Sequence, residues 1–335
     1  MEFQYPYLLF LGDARDQLAA KTANGVRVWR PDWCLGQFRF EDCKADCGVP
    51  DMTIEEAAEA GVKTVILGVV SRGGVIPENW INQLVKALEL GMDIASGLHT
   101  RITQIPELVK AAKKHNRSMH DVRHPSREFD VGNGINRSGK RLLTVGTDVS
   151  VGKMFTALAV EQEMKKRGFD ADFRATGQTG IFIAGSGVSI DAVVADFISG
   201  AAEMLSPDNT EDHWDVIEGQ GTVLHPGYSG VSLGLLHGSQ PDAFVVCHDA
   251  TRKVMSGWEH YPIPSIGECI DIHNQLGQRT NPDISCVGIS INTSGLHKDK
   301  RQEYLDNLQT ETGFPCIDPL MDGGGIIVDN LNEIF

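Results

Sequence analysis

The sequence has 335 residues and a formal charge of -15, from 45 acidic and 30 basic side chains. That length suits two hydrophobic cores better than one. The acidic balance argues against a nucleic-acid partner, which needs clustered Lys and Arg, and Lys113-Lys114 and Lys298–Arg301 are short. No stretch approaches the roughly 20 apolar residues of a membrane span, so no membrane partner is expected.

Met1–Pro6 lacks the basic start and apolar run of a secretory signal. The seven cysteines, Cys34, Cys43, Cys47, Cys247, Cys269, Cys286 and Cys316, are odd in number and scattered. Free thiols in a reducing, cytoplasmic setting fit that pattern. Cys34, Cys43 and Cys47 lack a CxxC spacing, and no metal site is expected there.

In chain order, Tyr7–Leu11 reads as a strand ending at Gly12-Asp13, and Val26–Trp29 as a second strand. Ile54–Ala60 reads as a helix and Thr64–Val70 as a β-branched strand ending at Ser71-Arg72-Gly73-Gly74. Glu78–Leu90 has the apolar spacing of a helix (Trp80, Ile81, Leu84, Val85, Leu88), which Gly91 stops. Asp93–Ala95 is a short strand before Ser96-Gly97-Leu98-His99, and Pro106–His115 a helix with proline at its start. Residues 125–140, with Gly132, Gly134, Ser138 and Gly139, form the best linker.

The alternation then restarts. Leu142–Val145 is a strand, Lys153–Lys166 a helix, Phe173–Ala175 a strand and Asp191–Glu203 an apolar helix. Val216-Ile217, within a strand Trp214–Ile217, and Ala243–Cys247 and Cys286–Ile291 read as buried central strands. Asp299–Thr312 is an amphipathic helix. Strand–helix alternation implies an α/β protein with mostly parallel sheets, in two domains over residues 1–128 and 129–335. No first-half glycine pattern matches G-x-G-x-x-G, so a Rossmann-like shape without a dinucleotide fingerprint is the reading.

The strongest chemical signal is the loop after Leu142–Val145: Gly146, Thr147, Asp148, Val149, Ser150, Val151, Gly152 and Lys153. A strand, a glycine-bounded loop and a lysine at a helix start make a phosphate cradle. Main-chain N–H groups face the anion, the helix mouth adds positive potential, and the ammonium reaches the outer phosphate. In the usual P-loop, Ser or Thr follows the lysine and holds Mg²⁺. Here that position is Met154, and Thr156 comes two places late. Phosphate binding is expected, with ATP hydrolysis weak or absent.

Other segments should converge on the same sheet edge. Arg174 precedes Thr176, Gly177 and Gln178, and is a candidate anion or oxyanion clamp. Asp191 and Glu218 are candidate bases or cation ligands, with a helix N-cap as the other reading of Asp191. His99, His225 and His248 each lie just past an apolar run, whereas His115, His120, His260 and His297 have polar neighbours and read as surface.

The loop resembles the G-T-D-T-x-V-G-K-T motif of dethiobiotin synthetase. In that resemblance Arg174 stands for a strand-end lysine, Asp191 falls in an S-D-A segment, Glu218–Gly221 matches E-G-A-G, and Asn292 matches an adenine-side Asn. Met154 and Arg174 depart from the pattern and put ATP-dependent carboxylation in doubt. A resemblance over nearly the whole chain is to a bacterial P-loop family with members that act as D-glutamate N-acetyltransferases. Its features here are Ser71-Arg72-Gly73-Gly74, Ser96–His99, V-G-K-M and R-A-T-G-Q-T-G. This resemblance implies acetyl-CoA as donor and N-acetyl-D-glutamate as product, in D-amino-acid catabolism.

On that reading Gly146–Lys153, Met154 and Asn292 hold the cofactor. Ser71, Arg72, Gly73, His99, Thr176, Gln178 and Arg252 are candidates to hold a small amino-acid substrate, with arginines facing its carboxylates. Arg174, Asp191, Glu218 and His225 are the catalytic candidates. The alternatives are an ATP- and Mg-dependent ligase or kinase of the dethiobiotin-synthetase type, and a non-catalytic nucleotide-binding regulator. A homo-oligomer is expected, since closed homo-oligomers are common.

Overall fold

The structure, a computed structural model, describes residues 3–69, 76–125 and 127–335. It divides into two units. One is Met1–Glu128 with Gly177–Ala192, and the other is Phe129–Thr176 with Val193–Phe335.

The first unit is built on β1 (Tyr7–Gly12), β2 (Cys34–Arg39), β3 (Thr64–Leu67), β4 (Asp93–Ser96) and β5 (Met119–Asp121). They form one parallel sheet in the order β2-β1-β3-β4-β5. Every residue of β1 and β3 is buried. That is why both read as unbroken apolar runs: a parallel strand is covered on both faces. The crossovers are α1 (Lys21–Trp29), α2 (Ile54–Glu59), α3 (Glu78–Glu89) and α4 (Pro106–His115). α2 opens with a capping box between Thr53 and Glu56.

Two expectations fail in this unit. Val26–Trp29 is not a strand but the end of α1. Two valines favour extended chain locally, but the segment is half a helix whose Thr22, Ala23, Gly25 and Val26 are buried, and packing outweighs propensity. His115 and His120 are half-buried rather than exposed. The His115 Nε2 is buried, and the His120 ring lies 5.5 Å from that of Phe3, where burial pushes its pKa down. The turn after β1 is covered by Trp80: a Cβ on Gly12 would lie 2.3 Å from the indole, and the indole N–H donates to Asp13 at 2.9 Å.

The second unit begins with β6 (Lys140–Gly146), α5 (Lys153–Lys166) and β7 (Ala171–Arg174). The chain then lends α6 (Gln178–Ala184) to the first unit. There Thr179 Oγ1 lies 3.2 Å from Thr22 Oγ1 on α1, and Ser189 donates to the Val122 carbonyl at 2.7 Å. Asp191 lies in a short 3-10 turn, Ile190–Ala192, and not at the head of a long helix. The helix expected over Asp191–Glu203 starts only at α7 (Ile198–Leu205).

The chain continues through β8 (Trp214–Ile217), α8 (Ser229–Ser239), β9 (Ala243–Asp249), the antiparallel hairpin β10 (Val254–Met255) and β11 (Trp258–Pro262), and α9 (Ile266–Gly277). It ends with β12 (Ser285–Asn292), α10 (Lys298–Thr312), β13 (Cys316–Ile317) and α11 (Gly325–Ile334). The main sheet is parallel, in the order β13-β12-β9-β6-β8-β7. Strand order reverses between β6 and β9. The carboxyl ends of those two strands therefore flank the crevice where open α/β sheets bind ligands.

α7 and α8 pack with almost no space between their backbones. A Cβ on Gly238 would lie 2.2 Å from the Ser199 carbonyl oxygen, whereas one on Gly230, in the first turn of α8, meets open space. Gly238→Ala should cost about 3 kcal/mol or more by forcing the helices apart. Gly230→Ala should be neutral or stabilising by about 0.5–1 kcal/mol, through helix propensity. Denaturant unfolding followed by tryptophan fluorescence compares the two; equal midpoints would show that the helix contact tolerates a methyl group.

Candidate functional site

The loop Gly146–Lys153 joins the end of β6 to the start of α5. It is pinned to β9 by the Thr147 N–H, which donates to the Cys247 carbonyl at 3.0 Å. Two residues have left-handed backbone, Ser150 at φ 55° and Gly152 at φ 103°. A serine in that region costs on the order of 1–2 kcal/mol, a strain typical of ligand-binding turns. Glycine at 146 is a steric requirement. A Cβ there would lie 2.8 Å from Val151 Cγ2, 3.0 Å from the Cys247 carbonyl and 3.4 Å from Lys153 Nζ.

Lys153 is the first residue of α5 and is 7 % exposed. Its ammonium donates to the Asp148 carbonyl at 2.8 Å, one of three donors it carries. Burial lowers its pKa to about 8, against the opposing pull of Cys247, Asp148, Cys269 and Glu218. Met154, half-buried, follows it. Thr156 does not substitute for the missing hydroxyl. Its Oγ1 is 3.1 Å from the Gly152 carbonyl, 2.7 Å from Ser290 Oγ and 3.3 Å from Cys247 Sγ, inside the core.

Asp148 is fully buried. Its Oδ1 accepts from the Val149 N–H at 2.7 Å. Its Oδ2 accepts from Arg252 Nη1 and from the Ser256 N–H, each at 2.8 Å. Arg252 also donates to the Val149 carbonyl at 2.6 Å and has Asp249 at 3.8 Å. Asp148, read from sequence as a cofactor contact, and Arg252, read as a carboxylate clamp, thus bond each other and tie the hairpin β10–β11 to the loop.

Glu218 and Thr176 meet at the ends of β8 and β7. The Thr176 N–H donates to Glu218 Oε2 at 3.0 Å, its hydroxyl donates to the Glu218 carbonyl at 2.6 Å, and Gln220 Nε2 donates to that hydroxyl at 3.0 Å. The next residue, Gly219, crosses β6 so closely that a Cβ would lie 1.6 Å from the Thr144 carbonyl and 3.1 Å from Lys153 Cδ. Glu218 is therefore brought beside the loop lysine.

Arg174 is not brought there. Its Nε donates to Asp215 at 2.5 Å, and Asp172 lies 3.6 Å from its Nη2. Asp172 and Asp215 are register partners two residues before Arg174 and Ile217, so the guanidinium folds back along the sheet. Asp215 also accepts from Ser206 and contacts His213, completing a polar network away from the loop. Asn292 closes β12, where its Nδ2 donates to Asp249 at 3.1 Å and its Oδ1 accepts from the Ser294 N–H at 3.1 Å.

The remaining candidates lie in the first unit or outside the description. Asp191 and His99 are exposed, and the His99 carbonyl faces His124 Nε2 at 3.0 Å. Gln178 opens α6 with a buried Oε1 that has no hydrogen-bond partner among the described residues. Ser71, Arg72 and Gly73 lie outside the described residues.

His225 and His248 both border the loop. His248 Nδ1 is 2.8 Å from the Thr147 hydroxyl, and burial pushes its pKa down. The His225 ring stacks on Tyr228 at 4.6 Å and meets the edge of Trp258 at 4.5 Å. Its Nδ1 accepts from the Gly227 N–H at 3.0 Å, and its Nε2 is 3.9 Å from Asp148 Oδ1. Sequence reasoning singled out both histidines as following apolar runs. Ser256 and Trp258 carried no comparable signal, because a two-residue strand in a polar hairpin has too little periodicity to read.

A family model described as the P-loop domain of DUF1611, a domain of unknown function, matches residues 130–328. One described as its Rossmann-like N-terminal domain matches residues 38–125. The chain is 51 % identical over 329 residues to a D-glutamate N-acetyltransferase of Tritonibacter scottomollicae, covering 98 % of this chain and 99 % of that relative. It is 51 % identical over 331 residues to a D-glutamate N-acetyltransferase of a Pseudoalteromonas species, covering 99 % and 100 %. The crystal structure of a DUF1611 family protein from Anabaena variabilis matches with a TM-score of 0.84 at 30 % identity, covering 98 % of this chain and 100 % of that one. With both domain models matched and full-length relatives at this identity, the chain belongs to the DUF1611 family, which joins a Rossmann-like domain to a P-loop domain.

Proposed function

We propose that the chain is an N-acetyltransferase that moves the acetyl group of acetyl-CoA to the amino group of D-glutamate. The observation that carries this reading is 51 % identity, over the whole chain, to two enzymes of that name. The loop chemistry agrees. Coenzyme A presents a pyrophosphate and a ribose phosphate, anions that a P-loop can grip without the hydroxyl that Met154 replaces.

The residues present fit such a group. Gly146 lets the loop backbone pass close to Val151, the Cys247 carbonyl and Lys153 Nζ, where a Cβ would clash. The main-chain turn through Ser150 and Gly152 and the ammonium of Lys153 would hold the phosphates, and Asp148 fixes that turn from behind. Acetyl-CoA supplies the activated acyl carbon there. Glu218 is buried, and its charge favours the ammonium of Lys153 against desolvation. All seven cysteines are free thiols, which supports a cytoplasmic home.

Free-thiol release from acetyl-CoA on addition of D-glutamate tests the activity. ATP consumption without thiol release would instead support a ligase. Lys153→Ala should raise KM for acetyl-CoA by about 10- to 100-fold, the worth of a charge-assisted hydrogen bond; an unchanged KM would move the phosphates elsewhere.

The lysine also sets a pH dependence. Its folded pKa of about 8 lies below the ordinary 10.5, so the ammonium is present below pH 8 and is lost as pH rises through that value. KM for acetyl-CoA should be flat from pH 6.5 to 7.5, rise above about pH 8, and lose that rise in Lys153→Arg, whose charge persists. Initial-rate KM profiles of the two proteins check this, and parallel profiles would assign the titration to another group.

A further inference from the structure

His225 has a buried ring nitrogen with no hydrogen-bond partner among the described residues, Nε2, in a residue 1 % exposed. Its Nδ1 accepts the Gly227 N–H at 3.0 Å. A neutral imidazole has one donor and one acceptor nitrogen, so the acceptor at Nδ1 puts the ring proton on Nε2. The ring is held on Tyr228, with centroids 4.6 Å apart, and on Trp258, at 4.5 Å and nearly perpendicular. The nearest carboxylate oxygen, Asp148 Oδ1, is 3.9 Å away and already bonded to Val149. That separation is beyond hydrogen-bond reach. Burying an unpartnered donor costs about 1–3 kcal/mol, a cost that an arriving acceptor removes.

We propose that His225 donates a hydrogen bond from Nε2 to the acyl oxygen during acetyl transfer, and is not the general base. This role rests on the acetyltransferase reading above. The substrate ammonium first loses a proton to water. The amine lone pair then forms the C–N bond while the carbonyl π pair moves onto oxygen, where the Nε2–H holds the charge without giving up its proton. The pair returns, the C–S bond breaks, and the remaining amine proton ends on sulfur.

Two measurements test the role. In ¹⁵N NMR of the whole protein, the His225 signals should show a protonated Nε2 and an unprotonated Nδ1, and the Nε2–H resonance should move on addition of acetyl-CoA. The opposite tautomer, or an unmoved resonance, overturns the proposal. In kinetics, His225→Phe keeps a ring and removes the donor, and should lower kcat by about 10²–10³-fold. His225→Gln keeps an N–H donor and should recover at least about tenfold of that loss, with KM for acetyl-CoA within about threefold of the parent.

A general base would leave both variants equally inactive and remove the acid limb of the kcat/KM profile. Should His225→Phe fail to fold by thermal melting, His225→Gln alone decides: a loss above about 10²-fold overturns the donor role. A parent protein that releases no thiol with D-glutamate defeats the acetyltransferase reading itself, whereas an active parent with an inactive His225→Gln defeats only this role.

Discussion

The carboxylate of Asp148 is the contact on which the second unit's loop geometry depends. It is fully buried and accepts from the loop's own Val149 N–H, from Arg252 and from the Ser256 N–H. A buried charge is tolerated only when paired and hydrogen-bonded, and here the three partners come from the loop (Val149), the segment that leads into the hairpin (Arg252) and the hairpin's own turn (Ser256). The same residue's carbonyl receives the Lys153 ammonium at 2.8 Å. One residue therefore fixes the turn from outside through its side chain and positions the cation inside through its backbone. Removing the carboxylate would leave the Arg252 guanidinium half-paired and release the hairpin that carries Trp258.

Close backbone approach is the second constraint. Gly146, Gly219 and Gly238 each stand where a Cβ would come within 3 Å of another group, at the loop, at the β6–β8 crossing and between α7 and α8. The sequence shows abundant glycine, but abundance does not say which positions face a neighbouring carbonyl. Glycines 48, 61 and 91 have open space and serve only positive φ. Gly146 and Gly219 both have Lys153 among their neighbours, so these two close approaches bring the loop lysine against the end of β8.

Elements with strong local signals were legible. Lys153–Lys166 and Pro106–His115 are helices with the bounds expected, because a glycine loop, a proline start and full-length apolar patterns mark them. The strands β1, β6, β9 and β12 were legible as apolar runs for the reason that both their faces are covered. Val26–Trp29 misled because β-branched residues can serve a buried helix face, and Asp191–Glu203 because a polar 3-10 turn leads into a real helix. The loop itself was legible, but the partners of its side chains were not. Arg174 reads as a strand-end cation, yet the acids Asp172 and Asp215, aligned two residues earlier on adjacent strands, draw it back along the sheet. Such pairing depends on register between strands that are 41 residues apart in the chain, which no local pattern records.

Lys153 joins these observations into one electrostatic argument. Desolvation dominates its environment and lowers its pKa to about 8, so below that pH the fold carries a buried ammonium whose charged form is disfavoured by on the order of 3 kcal/mol relative to water. Folding stability from this group therefore rises as pH goes from 8 toward 10.5, the reverse of what an ion-paired surface lysine gives. An ammonium held at that cost, behind a turn of left-handed backbone, is poised for an anion: any phosphate that enters removes part of the desolvation penalty, and the gain appears as binding. With Thr156 turned into the core toward Ser290 and Cys247, the hydroxyl that would share such an anion with a cation is committed elsewhere. On the proposed reading, the loop's affinity would rest on main-chain amides and one lysine, a combination suited to gripping a carrier's phosphates while the chemistry takes place on a different part of the same molecule.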